Sequence, residues 1–346
     1  MRYLIVSSEG KSVGLARKLE KEGHSVNVHI VRPSCQRKAA GVVSVLKTPR
    51  PIMDAEGVYN ISAVEHLMGA ARPDITIFDA PDMRTMATRM QKAGHRVIGA
   101  TEDAPTALHS ERDGGRVAAV EAWFNGEKFV APFSVSFLYE KLMVGDVGPY
   151  APGSMGMITM FVPRANPMAQ LLVNHLEVPL RASSYRGPAR VYTNLAHQVV
   201  GQEVSLGPTN YGTYESLFGS ISQFLVSIVN GSEMQHRTLT DYVVSVRISL
   251  PPWPYSVHEQ AQYRVPGINE GNLKHLWMND LAYSATDGWH TTGESNDIGF
   301  VTARGEKAGE AVRRAYRTIE NLSMPSLQFR TDIGEMASVV REFCGV

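Results

Sequence analysis

Apolar strands and amphipathic helices alternate through the first 105 residues, and this alternation constrains the fold more than any other feature of the chain. RYLIVSS at 2–8 is a short apolar run, and SVNVHIV at 25–31 is a second, with a loop and a helix between them. In that helix Val13, Leu15, Ala16 and Leu19 recur at spacings near three and four, while Lys18, Glu20 and Lys21 turn outward. Such a pattern belongs to a helix with one buried face. RPDITIFDAP, DMRTMATRMQKAG and HRVIGAT then repeat the order strand, helix, strand. Alternation of this kind predicts a parallel, doubly wound sheet with sites at the carboxyl ends of its strands.

From Glu121 onward the pattern changes to strands. VEAWFN and EKFVAPFSVSF flank Asn125-Gly126, a strong hairpin signal. PMAQLLVNHLEVPLRASS predicts a helix, GPARVYTNLAHQVVGQEVSLG two strands, and YESLFGSISQFLVSIVNG one helix closed by Gly231. The Pro-rich SLPPWPYS marks a boundary near 250 to 256, and Ala308, Ala311, Val312, Ala315, Tyr316 and Ile319 space out a last helix. With 346 residues, 43% of them hydrophobic, the chain can bury a sizeable core and is expected to fold as two or three domains.

Basic and acidic residues balance at 34 each, which argues against sequence-independent nucleic-acid binding. Cys35 and Cys344 are too few for a disulfide framework or a Cys-based zinc site, so a reducing compartment is expected. No apolar run reaches membrane-spanning length, and MRYLIVSSEG lacks signal-peptide organisation, so the expectation is a cytoplasmic protein with no membrane partner. The 11 histidines contain no HExxH, and Ser154 is not in a GxSxG elbow.

The run GDVGPYAPGSMG at 145–156 places an acid inside a loop rich in glycine and proline. In such a loop backbone N–H groups can approach an anion closely, while the acid can hold an amine or a metal-bound group. The run resembles the corresponding loop of the glycinamide ribonucleotide synthetases (phosphoribosylamine-glycine ligases) of the ATP-grasp superfamily, matching at Gly145, Asp146, Gly148, Pro149, Gly153, Met155 and Gly156. The stretch from Ser295 to Gly334 resembles the C-terminal pattern of the same family at Gly299, Val301, Thr302, Ala303, Gly305, Ala315, Tyr316, Arg330, Asp332, Ile333 and Gly334. The resemblance implies an α/β protein in three parts. A doubly wound parallel βαβ domain covers 1–105, a truncated ATP-grasp-like α+β domain 106–250, and a small α/β C-terminal domain 251–346.

Family-derived site residues follow residue by residue. Gly10, Lys11 and Ser12 occupy the family's phosphate loop, at a helix start where amides and dipole favour an anion. An ordinary turn capped by Ser7 or Ser8 is the competing account. Lys141, Asp146, Gly148, Gly153, Ser154, Met155 and Gly156 are the implied substrate residues, Lys141 being equally compatible with a solvated lysine. Arg112 is the implied nucleotide contact. Glu203 and Ser205 stand where the family holds Mg²⁺ against ATP, although Glu203 could also be an exposed acid ending a strand.

Two departures limit the implied chemistry. Only a few residues separate Arg112 from Glu121, where the family inserts the subdomain that covers ATP. The second acid of the metal site is not recognisable beyond Glu203-Val204-Ser205. Three functions stay open: an amine-carboxylate ligase; a protein that keeps a phosphoribosyl or amino-acid pocket without the chemistry, acting alone, with a partner protein or as a homo-oligomer; and an interaction protein, such as a viral or assembly component, on the ligase fold. The expectation is a ligase-derived protein with impaired or altered use of Mg²⁺ and ATP.

Overall fold

The alternation at the start of the chain builds a five-stranded parallel sheet. It is seen in a computed structural model that describes residues 1–48, 52, 60–108, 117–232, 236–255 and 262–345. Its strands are β1 (Arg2–Ser7), β2 (Ser25–Ile30), β3 (Ser44–Val45), β4 (Ile75–Phe78) and β5 (Val97–Ile98), in the order β3-β2-β1-β4-β5. The crossovers carry α1 (Val13–Lys21), α2 (Ile61–Ala71) and α3 (Arg84–Lys92). β1 is buried from Tyr3 to Ser7, as a central strand covered on both faces must be.

The rest of the chain is organised by an eight-stranded antiparallel sheet. The elements in order are β6 (Ala118–Asn125), β7 (Phe129–Tyr139), β8 (Lys141–Met143), β9 (Val147–Tyr150), β10 (Gly156–Val162), α4 (Pro167–Ala182), β11 (Arg186–Thr193), β12 (Val199–Glu203), α5 (Thr209–Ser216), α6 (Ile221–Val229) and β13 (Tyr242–Ser249). They continue with α7 (Glu270–Leu273), β14 (Leu276–Met278), β15 (Leu281–Ser284), β16 (Gly288–Thr291), β17 (Asp297–Gly305), α8 (Ala308–Glu320) and α9 (Ala337–Cys344). The sheet order is β12-β11-β6-β7-β10-β13-β17-β14, with β8-β9 and β15-β16 as separate hairpins.

Three features differ from the sequence expectation. The boundary near residue 250 falls inside the large sheet, because β13 pairs with β17 along its length. Prolines lack the N–H that a ladder needs, so Pro251 and Pro252 end β13 without ending the sheet. The predicted helix from Tyr214 is two helices, broken where Gly219 adopts φ +124° and Ser220 caps α6 by accepting the Gln223 amide. The glycine-rich run 145–156 is not a continuous loop, since Val147–Tyr150 forms β9 and Gly156 opens β10.

The two sheets share one hydrophobic core, in which Tyr3, Ile5 and Leu19 belong to the same cluster as Trp123, Leu225 and Trp277. Glu22, just after α1, accepts the Ile221 and Ser222 amides at 2.7 and 2.9 Å, so a residue of the parallel unit satisfies the open end of α6. The Gly99 amide donates to the Arg186 carbonyl at 3.0 Å, tying the segment after β5 to the start of β11. No helix among the described residues is long and apolar enough to cross a membrane.

Candidate functional site

A cavity of about 900 Å³ opens at the carboxyl ends of β1 and β4, between the parallel sheet and the large sheet. One wall carries Lys11, Ser12, Lys38 and Asp79; the other carries Arg190, Glu203, Arg247 and Asp297. Tyr211 and Trp277 add an aromatic surface, stacked at 4.5 Å with an angle of 9°.

The turn between β1 and α1 is built around Gly10, whose φ of +81° favours glycine and where a Cβ would lie 3.3 Å from the Lys38 Cδ. Its amide donates to Ser7 Oγ at 2.8 Å. Lys11 points outward, 63% exposed, and pairs with Glu9 at 2.7 Å, while Arg32 closes on the same carboxylate. Asp79, at the end of β4, accepts from the Ser7 hydroxyl and from the Ser8 amide at 3.1 Å. Burial pushes the Asp79 carboxyl above its usual range, and the bonds from Ser7, Ser8 and Ser12 only partly offset this. Where a phosphate is expected, the turn already faces a carboxylate of its own chain.

On the opposite wall, alternation along β11 turns Arg190 inward, 2% exposed. Its Nε donates to Glu121 at 2.9 Å, its Nη1 to Glu203 at 3.1 Å and its Nη2 to the Ser205 carbonyl at 2.6 Å. Glu121, fully buried, also accepts from Thr209 and Asn210 at 2.5 and 2.7 Å. Burial by itself would lower the Arg190 guanidinium, but Glu203 and Glu121 outweigh it and raise the group above its usual value. Tyr192 and Ser205 hydroxyls fill further acceptor positions of Glu203, each at 2.6 Å.

This donor set does not fit the implied Mg²⁺. A hard cation needs several open oxygen ligands; here the oxygens of Glu203 accept protein donors, and a guanidinium stands beside them. No group of three or more His, Cys, Asp or Glu residues among the described residues could hold a metal ion. Arg112, the implied nucleotide contact, lies outside the described residues.

The GDVGPYAPGSMG run divides between cavity and scaffold. Pro152, Gly153 and Ser154 line the cavity, and the Pro152 and Ser154 carbonyls accept from Arg247 at 2.9 and 2.8 Å. Asp146 lies on the β8-β9 turn with its side chain 68% exposed, paired with Arg330 at 2.6 Å. Lys141 sits over the Tyr150 ring, and Gly148 packs on Met143. Met155 is fully buried, and a Cβ on Gly156 would strike Ile333 at 2.0 Å. The two distant motifs therefore meet: Arg330, Asp332 and Ile333 pack on the hairpin and on β10, and Asp332 accepts the Gly145 amide at 3.0 Å.

Lys38, Arg190, Arg247, Asn279 and Asp297 line the cavity without having been singled out from sequence. Arg190 and Arg247 carried one available signal, a lone charge within an apolar strand pattern. Lys38 and Asn279 lie in irregular segments that gave none.

No protein-family model matches the chain, and no curated protein matches it in sequence. Solved structures do match it. The phosphoribosylamine-glycine ligase of Thermotoga maritima superposes over 96% of this chain and 100% of its own, with a TM-score of 0.64 and 16% identity. The biotin carboxylase domain of a thermophilic 2-oxoglutarate carboxylase bound to bicarbonate matches over 99% of each chain, with a TM-score of 0.61 and 10% identity. A biotin carboxylase-β,γ-ATP complex from Campylobacter jejuni covers 97% of this chain and 95% of its own, with a TM-score of 0.57 and 9% identity. At these identities the likeness is one of fold, and the chain has the mixed α/β ATP-grasp ligase fold that the two motifs imply.

Proposed function

We propose that this chain is a divergent relative of the phosphoribosylamine-glycine ligases that binds a small phosphoribosyl or amino-acid-like ligand in the cavity between its sheets, with impaired or altered use of ATP. The observation that carries this is the Glu121-Arg190-Glu203 network. It gives the cavity wall a fixed internal cation where the ligase resemblance calls for a divalent metal, while a charged cavity of about 900 Å³ remains at the strand ends where α/β proteins bind ligands. Mass spectrometry of the purified protein after denaturation tests it: a retained sugar phosphate or amino-acid derivative is the expected result, ADP or ATP would favour a working ligase, and an empty protein would leave the fold without a pocket function. One observation favours a second reading, as an interaction protein acting with a partner chain or a second copy: the tip of the β8-β9 hairpin exposes Met143, Val144 and Val147.

A further inference from the structure

Lys38 follows β2 in an irregular segment and is only 2% exposed, yet it lines the cavity. An ammonium group has three donors. Its hydrogen bond in the structure is a long one, 3.4 Å to Asn279 Oδ1. Among the described residues no carboxylate lies within ion-pair distance of it: Glu9 is near enough to feel its charge, but the direct contacts of that carboxylate are with Lys11 and Arg32. Asp297, the next acid along, is held by Arg247 at 2.8 Å. Asn279 separates the two, donating to Asp297 at 3.1 Å while turning its oxygen to Lys38. A neutral amide thus bridges the ammonium and the carboxylate.

A buried ammonium that touches no carboxylate and makes one long hydrogen bond has donors to spare, and a fold keeps such a group where a ligand can take them up. The stem of Lys38 packs against Gly10, the position where a Cβ would collide with it, so the head group is held in place. Lys11 and Ser12, at the start of the nine-residue α1, line the same cavity and add the positive end of a helix dipole.

We infer that Lys38, rather than Lys11, is the anion-binding residue of this cavity, and that the ligand presents a small oxyanion, a carboxylate or a phosphate, to its ammonium group. The inference rests on the cavity being a ligand pocket and names the group such a ligand must carry.

Thermal melting of the full chain tests it, in inorganic phosphate and separately in acetate, with ionic strength held constant by chloride. An anion that binds only the folded state raises the wild-type melting temperature. Phosphate acting more strongly than acetate assigns a phosphate ester, and the reverse a carboxylic acid. Lys38→Met removes the buried charge, so it is expected to melt no lower than wild type without anion and to lose the anion-dependent rise. Lys38→Gln keeps a donor for Asn279 but drops the charge, and its affinity is expected to fall roughly tenfold or more, about 1.4 kcal/mol or more on the usual conversion. Variants that keep the wild-type response overturn this inference alone. A wild type that responds to neither anion and carries no ligand through purification overturns the pocket reading with it.

Discussion

Arg330 grips Asp332 through Nε at 2.8 Å and reaches Asp146 through Nη1 at 2.6 Å. The two partners differ in exposure, 68% for the Asp146 side chain against 5% for Asp332. Replacing Arg330 with Met strands Asp332 in a buried site and is expected to cost about 3–5 kcal/mol in chemical denaturation. Asp146→Asn is expected to cost less than about 1 kcal/mol, because the Asp146 side chain is largely exposed, Arg330 keeps Asp332, and Asn tolerates the φ of +57° found there. Ligand binding should be unchanged in Asp146→Asn, since Asp146 does not line the cavity. Burial alone would raise the Asp332 carboxyl, but Arg330 and the Gly145 amide outweigh it and hold it below its usual value. Its contribution to stability is therefore present above the ordinary aspartate range and lost as pH falls through the lowered value. Asp79, raised by burial, has the opposite sign: its contribution is present in acid and lost as pH rises through the raised value. Denaturation against pH should show Asp332→Asn converging on wild type in acid, and Asp79→Asn gaining on it as pH rises. Arg330 and Asp332 were visible in sequence as a family motif, whereas the contact of Arg330 with Asp146 was not, because nothing local to either segment encodes a pairing across 184 residues.

Elements with one clear period were legible from the sequence: the parallel strands β1, β2, β4 and β5, α1, α3, α4, α8 and the β6-β7 hairpin follow from apolar spacing and turn chemistry alone, whereas the two-residue β3 is too short to show a period. The break between α5 and α6 was missed because apolar spacing continues across it; the signal was the Gly219-Ser220 pair, a strained turn followed by a cap. The β8-β9 hairpin was hidden by its own glycines and proline, which composition assigns to loops. Glu22 gives α6 a further cap from outside the helix, and the charge of this carboxylate complements the dipole of the helix it meets. Glu22→Gln keeps one acceptor but turns N–H groups towards the Ser222 amide. Urea denaturation is expected to show a loss of about 1–2 kcal/mol, with no change in anion response, because Glu22 lies outside the cavity.

For the molecule as a whole, the site depends on the sheets facing each other, and that arrangement escaped the sequence reading because cavity residues come from segments as far apart as Lys38 and Asp297. The family resemblance pointed to the correct fold; Glu203, which it offered as a metal ligand, lines the cavity with the guanidinium of Arg190 beside it. Isothermal titration with a non-hydrolysable ATP analogue is expected to give the same weak or absent signal with and without Mg²⁺. Micromolar affinity dependent on the metal, about −8 kcal/mol, would count against the reading of Arg190 as a fixed replacement for the metal.

Each end of the large sheet is met by chain from outside it. At one end α1 lies across β14, where a Cβ on Gly14 would come within 2.9 Å of the Met278 amide. At the other, Leu108 exchanges backbone hydrogen bonds with Gln202 of β12 at 3.0 and 2.9 Å. Unpaired strand edges are where a foreign strand adds on and where sheets polymerise. Leu108 takes the backbone groups of Gln202 and α1 crowds β14 at Met278, so neither spot offers an open template for strand addition. At these two places a partner chain would have to recognise side chains rather than backbone.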